Sequence, residues 1–429
     1  MITCAAILAD TAEGRAPKNR ILAVVQIKRV RDALLIVTFA VYTAGMAAVG
    51  LALISIVALG EVVRRTWRWI PTSLDRPLAG FALAAIISSV FSEWRGFSLA
   101  NSLLLVLMMI VSVRTVAAYA AGDTGRCLRV LMWWAVGGVA AALWVAAHID
   151  PTGRINGSLP TLVFSNHVGT TLAIATVLTM ALVPGRPRAQ QSLLVVGLII
   201  LLAGLVGTWS RGAWLGASAG MLTLLAVGVR PRGRTGLAAI LVAAALAAVV
   251  LTRWPELRAE IVSVGSLQAN RNRILLWATA LRMIPDYPLV GTGFATFDFA
   301  YQRYRSPDSF DITPSFAHNL LLNTAVEMGA LGLVAIIALC ATGLGAARRW
   351  ARRSPQGSSD RLAANAVLAA LVALLANQMV DGTIQTVHVG FGFFALLALA
   401  AHGGRDSPGH RPDVGGARER SGEGPLDPP

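Results

Sequence analysis

SLLVVGLIILLAGLVGTWSRGAWLGASAGMLTLLAVGV, residues 192–229, decides the fold. Two apolar runs, 192–209 and 212–229, stand on either side of one arginine, Arg211, with no room for a linker between them. A bilayer core takes roughly 20 apolar residues per helix, and only helices or closed barrels can cross it. Both runs are continuously apolar and do not alternate, which excludes a barrel. They read as a membrane hairpin whose turn carries Arg211 between Trp209 and Trp214. Gly212, Gly216 and Gly220 then recur every fourth residue, the small-residue spacing that lets helix backbones approach closely.

The same pattern fills the chain. Of its 429 residues 55% are hydrophobic and only 14% charged, with mean hydropathy +0.63. Soluble domains carry about 25% charged residues. A soluble enzyme, a disulfide scaffold and a disordered chain are therefore excluded. Twelve spans are predicted, near 33–46, 47–60, 77–92, 97–113, 128–148, 161–183, 192–209, 212–229, 236–252, 319–345, 362–380 and 384–401. The run 33–60 is divided by a hairpin near Gly45–Gly50, because basic clusters flank both its ends. The expected fold is an all-α polytopic membrane protein of about 12 transmembrane helices. It comprises an N-terminal cytoplasmic segment 1–32, a transmembrane domain 33–401 and a disordered, Gly/Pro/Arg-rich cytoplasmic tail 402–429.

The net charge of +15 does not call for nucleic acid. With both termini inside, the basic excess falls wholly in the inside segments, as the positive-inside rule expects. Membrane lipids are the expected surroundings. Cys4, Cys127 and Cys340 have neither disulfide nor metal spacing.

Of the eleven connections between these spans ten are short and one is long, 253–318 on the outer side. It holds an amphipathic helix, RNRILLWATALRMI (271–284), stopped at Pro285. Arg271 and Arg282 share one face of it; Arg273 lies opposite, beside Trp277. The loop runs into SFAHNLLLNTAVEMGALGLV. Drawn as one helix, this places His318, Leu322, Ala325, Gly329 and Gly332 within about 40° of one stripe, with Glu327 on the far side. Geometry alone favours an interfacial polar role for His318, and Arg211 reads either as a lipid anchor or as a fixed anion binder. Arg154 lies in a short outer loop. Asp381, in the last outer turn, reads first as a solvated Asp-Gly residue and second as a partner for His318 or a sugar. No acidic cluster beside these residues reads as a cation site.

These segments resemble the bacterial O-antigen ligases and their polymerase relatives. His318-Asn319, nine residues, then Gly329-x-x-Gly332 is similar to the ligase signature, and Ser210-Arg211-Gly212 to the family's arginine-bearing turn. Arg273-x-x-x-Trp277 followed by Pro288–Gly293 resembles the start of its large periplasmic loop. The likeness covers roughly residues 150–400. It implies an inner-membrane glycosyltransferase working on the periplasmic face. The donor is a glycan on undecaprenyl pyrophosphate and the acceptor a sugar of lipid A–core. A polymerase passes the glycan to another repeat unit, a protein O-oligosaccharyltransferase to a protein hydroxyl. His318 is then the base. Arg211 and Arg273, with Arg271, Arg154, Asn319 and Asp381 as weaker candidates, bind pyrophosphate or glycan, while Gly212, Gly329 and Gly332 are structural. The pyrophosphate is already activated, so no cofactor, nucleotide or metal is expected. A lipid-glycan flippase is the non-enzyme alternative. It would place basic residues along a central cavity, whereas here the spans are nearly free of charge.

Overall fold

A computed structural model describes residues 18–44, 46–65, 70–148, 165–229, 255–262, 266, 270–309 and 311–402. The described chain is helical throughout, with no strand among the described residues. The first two helices are α1 (Lys18–Thr43) and α2 (Ala47–Val63). They divide the run 33–60 where the basic flanks require it, and Gly50 packs against Tyr42, a Cβ there lying 2.8 Å from the tyrosine Cβ. The first helix begins well before residue 33, so the basic stretch 18–31 is helical as well. Then come α3 (Asp75–Val90), α4 (Arg95–Ala120), α5 (Thr124–Ala147), α6 (Ser165–Leu182), α7 (Arg188–Gly207) and α8 (Arg211–Ala226). The span expected at 236–252 lies outside the described residues.

Five helices are long and apolar enough to cross a membrane, and α2, α6 and the last helix are shorter apolar ones. Helix α7 shows why the solvent is lipid. Only 17% of its apolar window is buried in the protein, and Leu193 and Val196 stand 73% and 52% exposed. Such a face is stable only against hydrocarbon.

The described residues of the long segment 253–318 include α9 (Pro255–Val262), α10 (Arg271–Met283), a 3-10 turn at Ile284–Asp286 and α11 (Phe297–Tyr301). Pro285 falls in that turn, where its missing N–H ends the helix. Leu276, Ala280, Met283, Phe297, Ala300, Tyr301 and Ala317 close into a small core of their own around Val326. Arg303 clamps this layer to the α3–α4 turn by a two-pronged bond to Glu93, at 2.8 and 2.5 Å. The guanidinium holds the Glu93 carboxyl below its usual range.

Three helices complete the chain: α12 (Leu320–Arg353), α13 (Ser359–Asp381) and α14 (Val387–His402). Asn319 caps α12 and Ser358 caps α13. Helix α13 is central, packed on α6, α8 and α12. The four-residue glycine spacing of α8 is used there: a Cβ on Gly216 would lie 2.5 Å from the Ala373 carbonyl, and one on Gly220 2.8 Å from the Ala373 Cβ.

One expectation is corrected. Residues 318–332 are not one continuous helix. His318 precedes α12, in the left-handed region with φ 51°, and Gly329 breaks the helix at φ 59°, ψ −157°. The drawn stripe therefore does not exist as a stripe. Its glycine instead admits the turn segment 288–293, which pairs with the break. Thr292 N donates to Val326 O and Gly293 N to Glu327 O, both at 2.9 Å. Ala330 N donates to Pro288 O at 2.9 Å and Leu331 N to Leu289 O at 3.3 Å. Backbone groups freed at membrane depth need such partners. Gly291, at φ 73°, faces the break from the other side.

Candidate functional site

Three connections meet at one end of the bundle. Asn319, at the start of α12, accepts from Leu321 N and Leu322 N and donates to the Met379 carbonyl of α13 at 2.8 Å. Both ends of its amide are thereby engaged by backbone, so it positions its neighbour His318. Gly382 ends α13 in the left-handed region, φ 65°, and backs directly onto Asn319, whose N would lie 2.9 Å from an added Cβ. This backbone-to-backbone seat fixes His318 beside Asp381.

Asp381 is fully buried, which corrects its reading as a solvated turn residue. Three groups from three elements converge on its Oδ1. Asn166 Nδ2, from the first turn of α6, donates at 2.9 Å. His318 Nδ1 stands at 3.4 Å and Arg273 Nη2, from the first turn of α10, at 3.8 Å. The side chains of His318 and Arg273 keep 23% and 24% of their surface exposed, so both can meet a ligand that Asp381 cannot reach. Phe316 lies edge-on to the His318 ring, 5.1 Å between centroids.

Arg211 opens α8, behind the cap that Ser210 makes to Ala213 N. Its Nη1 donates to Asn270 Oδ1 at 3.2 Å, and Asn270 leads into α10. Helix α10 is thus tied to α8 through Arg211 and to α13 through Arg273. Gly212 lets α8 close onto α13 beside Asp381: a Cβ there would meet Val380 at 2.9 Å, the Asn377 amide nitrogen at 3.1 Å and Asp381 Oδ2 at 3.6 Å. Arg271 takes the other side of α10, near Asp308 at 4.0 Å, and Arg282 bonds the Tyr304 carbonyl at 2.9 Å. The opposed faces of this helix follow its periodicity. Arg154 lies outside the described residues.

Several members have no counterpart in the sequence reading. Asn166 and His167 open α6; His167 is buried, and its ring stacks on that of His388 from α14 at 5.2 Å. His167 also lies within electrostatic reach of Asp381 and His318. Thr170 Oγ1 donates to Asn377 Oδ1 at 2.9 Å. Polar side chains at the mouth of an apolar span are the available signal, since they are costly there without partners. At the same end, Trp94 stacks on Phe299 at 5.5 Å and Arg303 covers the Trp94 ring at 5.4 Å.

A ring nitrogen against a buried carboxylate, with two arginines held by other side chains, can take a proton and stabilise an anion at one place. Residues 196–337 match the family model described as O-antigen ligase. The matched stretch runs from α7 into α12 and includes Arg211, Arg271, Arg273, His318, Asn319, Gly329 and Gly332, while Asn166 and Asp381 lie outside it. No curated protein matches the chain.

Proposed function

We propose, from the match of residues 196–337 to the O-antigen ligase model, that the chain belongs to that family and transfers a glycan from undecaprenyl pyrophosphate to a sugar hydroxyl of lipid A–core at the periplasmic face of the inner membrane. The family is glycosyltransferase-like, of the ligase and polymerase type. The observation that carries the reading is the partly exposed His318 set 3.4 Å from a fully buried Asp381.

Nδ1 faces the carboxylate, so Nε2 is the nitrogen turned away from it. A carboxylate favours the tautomer with the proton on Nδ1, which leaves the Nε2 lone pair to accept one. His318 takes the proton of the acceptor hydroxyl as that oxygen attacks the anomeric carbon. The bond from that carbon to the pyrophosphate oxygen breaks, and the pair of electrons leaves with the pyrophosphate. Asp381 offsets the imidazolium charge without touching substrate. Arg211 and Arg273 stabilise the leaving group, because guanidinium forks held in place match phosphate oxygens and cost no reorganisation during the step. The pyrophosphate supplies its own activation, so the residues need no metal or nucleotide for this chemistry.

The test is His318→Ala. As a base His318 contributes about 10²–10⁴-fold, so transfer to lipid A–core should become undetectable in cells while the purified protein still binds the undecaprenyl-pyrophosphate glycan. Loss of donor binding with turnover retained at saturating donor would make His318 a binding residue instead. Lipopolysaccharide banding in a deletion strain separates the branches. A ligase mutant loses all O-chains from lipid A–core, whereas a polymerase mutant keeps a single repeat.

A further inference from the structure

We propose that Asn166 is a positioning residue of this site, holding the Asp381 carboxylate in the orientation that presents a single oxygen to His318 and Arg273 together. The inference rests on the reading of His318 as the base. Of the three groups around Oδ1, only the Asn166 amide is at full hydrogen-bond distance, 2.9 Å; His318 at 3.4 Å and Arg273 at 3.8 Å are drawn to the charge but do not fix its plane. Oδ2 accepts no hydrogen bond among the described residues. Rotation of the carboxylate is therefore restrained by one bond, and that bond comes from Asn166.

The amide is in turn held by a ladder. Asn166 and Thr170, one turn apart on α6, face Asp381 and Asn377, one turn apart on α13, with both rungs at 2.9 Å. Gln378 continues the ladder, donating to Asn377 Oδ1 at 2.8 Å and accepting from Thr383 N and Ile384 N at 2.5 and 2.9 Å. Helix α6 is also held against α8, for a Cβ on Gly169 would lie 2.8 Å from the Ser210 Cβ and 2.9 Å from that of Ala213. An amide suits the position. It donates to a buried carboxylate without adding charge, whereas an acid there would crowd two carboxylates and raise the proton affinity of the pair.

The experiment uses the full-length protein in liposomes, with undecaprenyl-pyrophosphate-linked glycan as donor and lipid A–core as acceptor. Asn166→Ala should lower kcat, by up to about 10²-fold for a base displaced by about an ångström, with donor KM little changed. In an Asp381→Asn background the same substitution should cost almost nothing more, because Asn166 acts through Asp381. Asn166→Asp should move the acid limb of the kcat–pH profile to higher pH. The charged and titratable groups facing this point are His318, Arg273 and Arg211, together with His167 and its stacked partner His388. Equal, additive losses in the two backgrounds, or an Asn166→Asp profile unmoved at full activity, would overturn the proposal. If His318→Ala itself retains turnover, the base assignment fails first; if it is dead while the Asn166 and Asp381 effects add, only this inference fails.

Discussion

At the scale of single residues, the two arginines are set differently, and their substitution should show it. Arg211 Nη1 is bound to the neutral amide of Asn270 at 3.2 Å, while Arg273 is shared with a buried carboxylate at 3.8 Å. Arg211→Lys keeps the charge but loses the paired donors, so transfer should fall nearly as far as in Arg211→Ala. Arg273→Lys should fall further, because it also disturbs Asp381. Initial rates with purified protein decide this; a near-normal Arg211→Lys beside an inactive Arg211→Ala would reduce Arg211 to a point charge. The residue types at this site are readable from the sequence, but their meeting is not. His318, Arg273 and Asp381 are far apart in the chain, and nothing in their spacing says that one carboxylate oxygen sees both others. Asn166 and His167 look like the ragged start of an apolar span. Burial, which sequence does not state, is what turns Asp381 from a turn residue into a charge that must be answered.

At the scale of elements, the break in α12 carries most of the local precision. Hydropathy marks 319–345 as one span and gets its existence right, yet a wheel drawn through Gly329 misplaces everything beyond it. A glycine in an apolar helix reads as close packing, and only the backbone pairing with 288–293 shows that it is a gap in the helix instead. A side chain at Gly329 would meet Leu289 backbone at 2.3 Å, and one at Gly291 would meet Glu327 backbone at 2.2 Å, both from left-handed φ. The strain alone costs about 1–3 kcal/mol at each position, and backbone cannot swing aside as a side chain does. Gly329→Leu should therefore lower the unfolding temperature in detergent and open 288–304 to protease, with activity lost through displacement of the loop that carries His318. Gly60→Ala, where nothing lies within 4 Å, is the matched control and should melt like the parent. An unchanged melting curve for Gly329→Leu would mean that the pairing across the break does not hold the loop.

At the scale of the whole molecule, the two ends differ in charge. The end bearing His318 mixes Arg211, Arg271, Arg273 and Arg303 with Glu93, Asp308 and Asp381. The opposite end gathers Arg348, Arg349, Arg352, Arg353 and Arg361 around the α12–α13 turn, with Arg31 and Arg126 balanced in part by Asp32, Glu61 and Asp123. The positive-inside rule counts short loops near span ends, and the α12–α13 turn is such a loop. By that rule we expect the turn on the cytoplasmic side and the end bearing His318 across the membrane from it, where lipid-linked glycans would be met. Two exposed positions test the assignment, Ser315 beside the site and Gln356 in the turn. In a background without Cys4, Cys127 and Cys340, Ser315→Cys should react with an impermeant maleimide in intact spheroplasts, and Gln356→Cys only after lysis. The reverse pattern would invert the protein. It would leave the internal geometry of Asp381, His318 and Arg273 as described, but would place it on the face where a periplasmic transfer cannot occur.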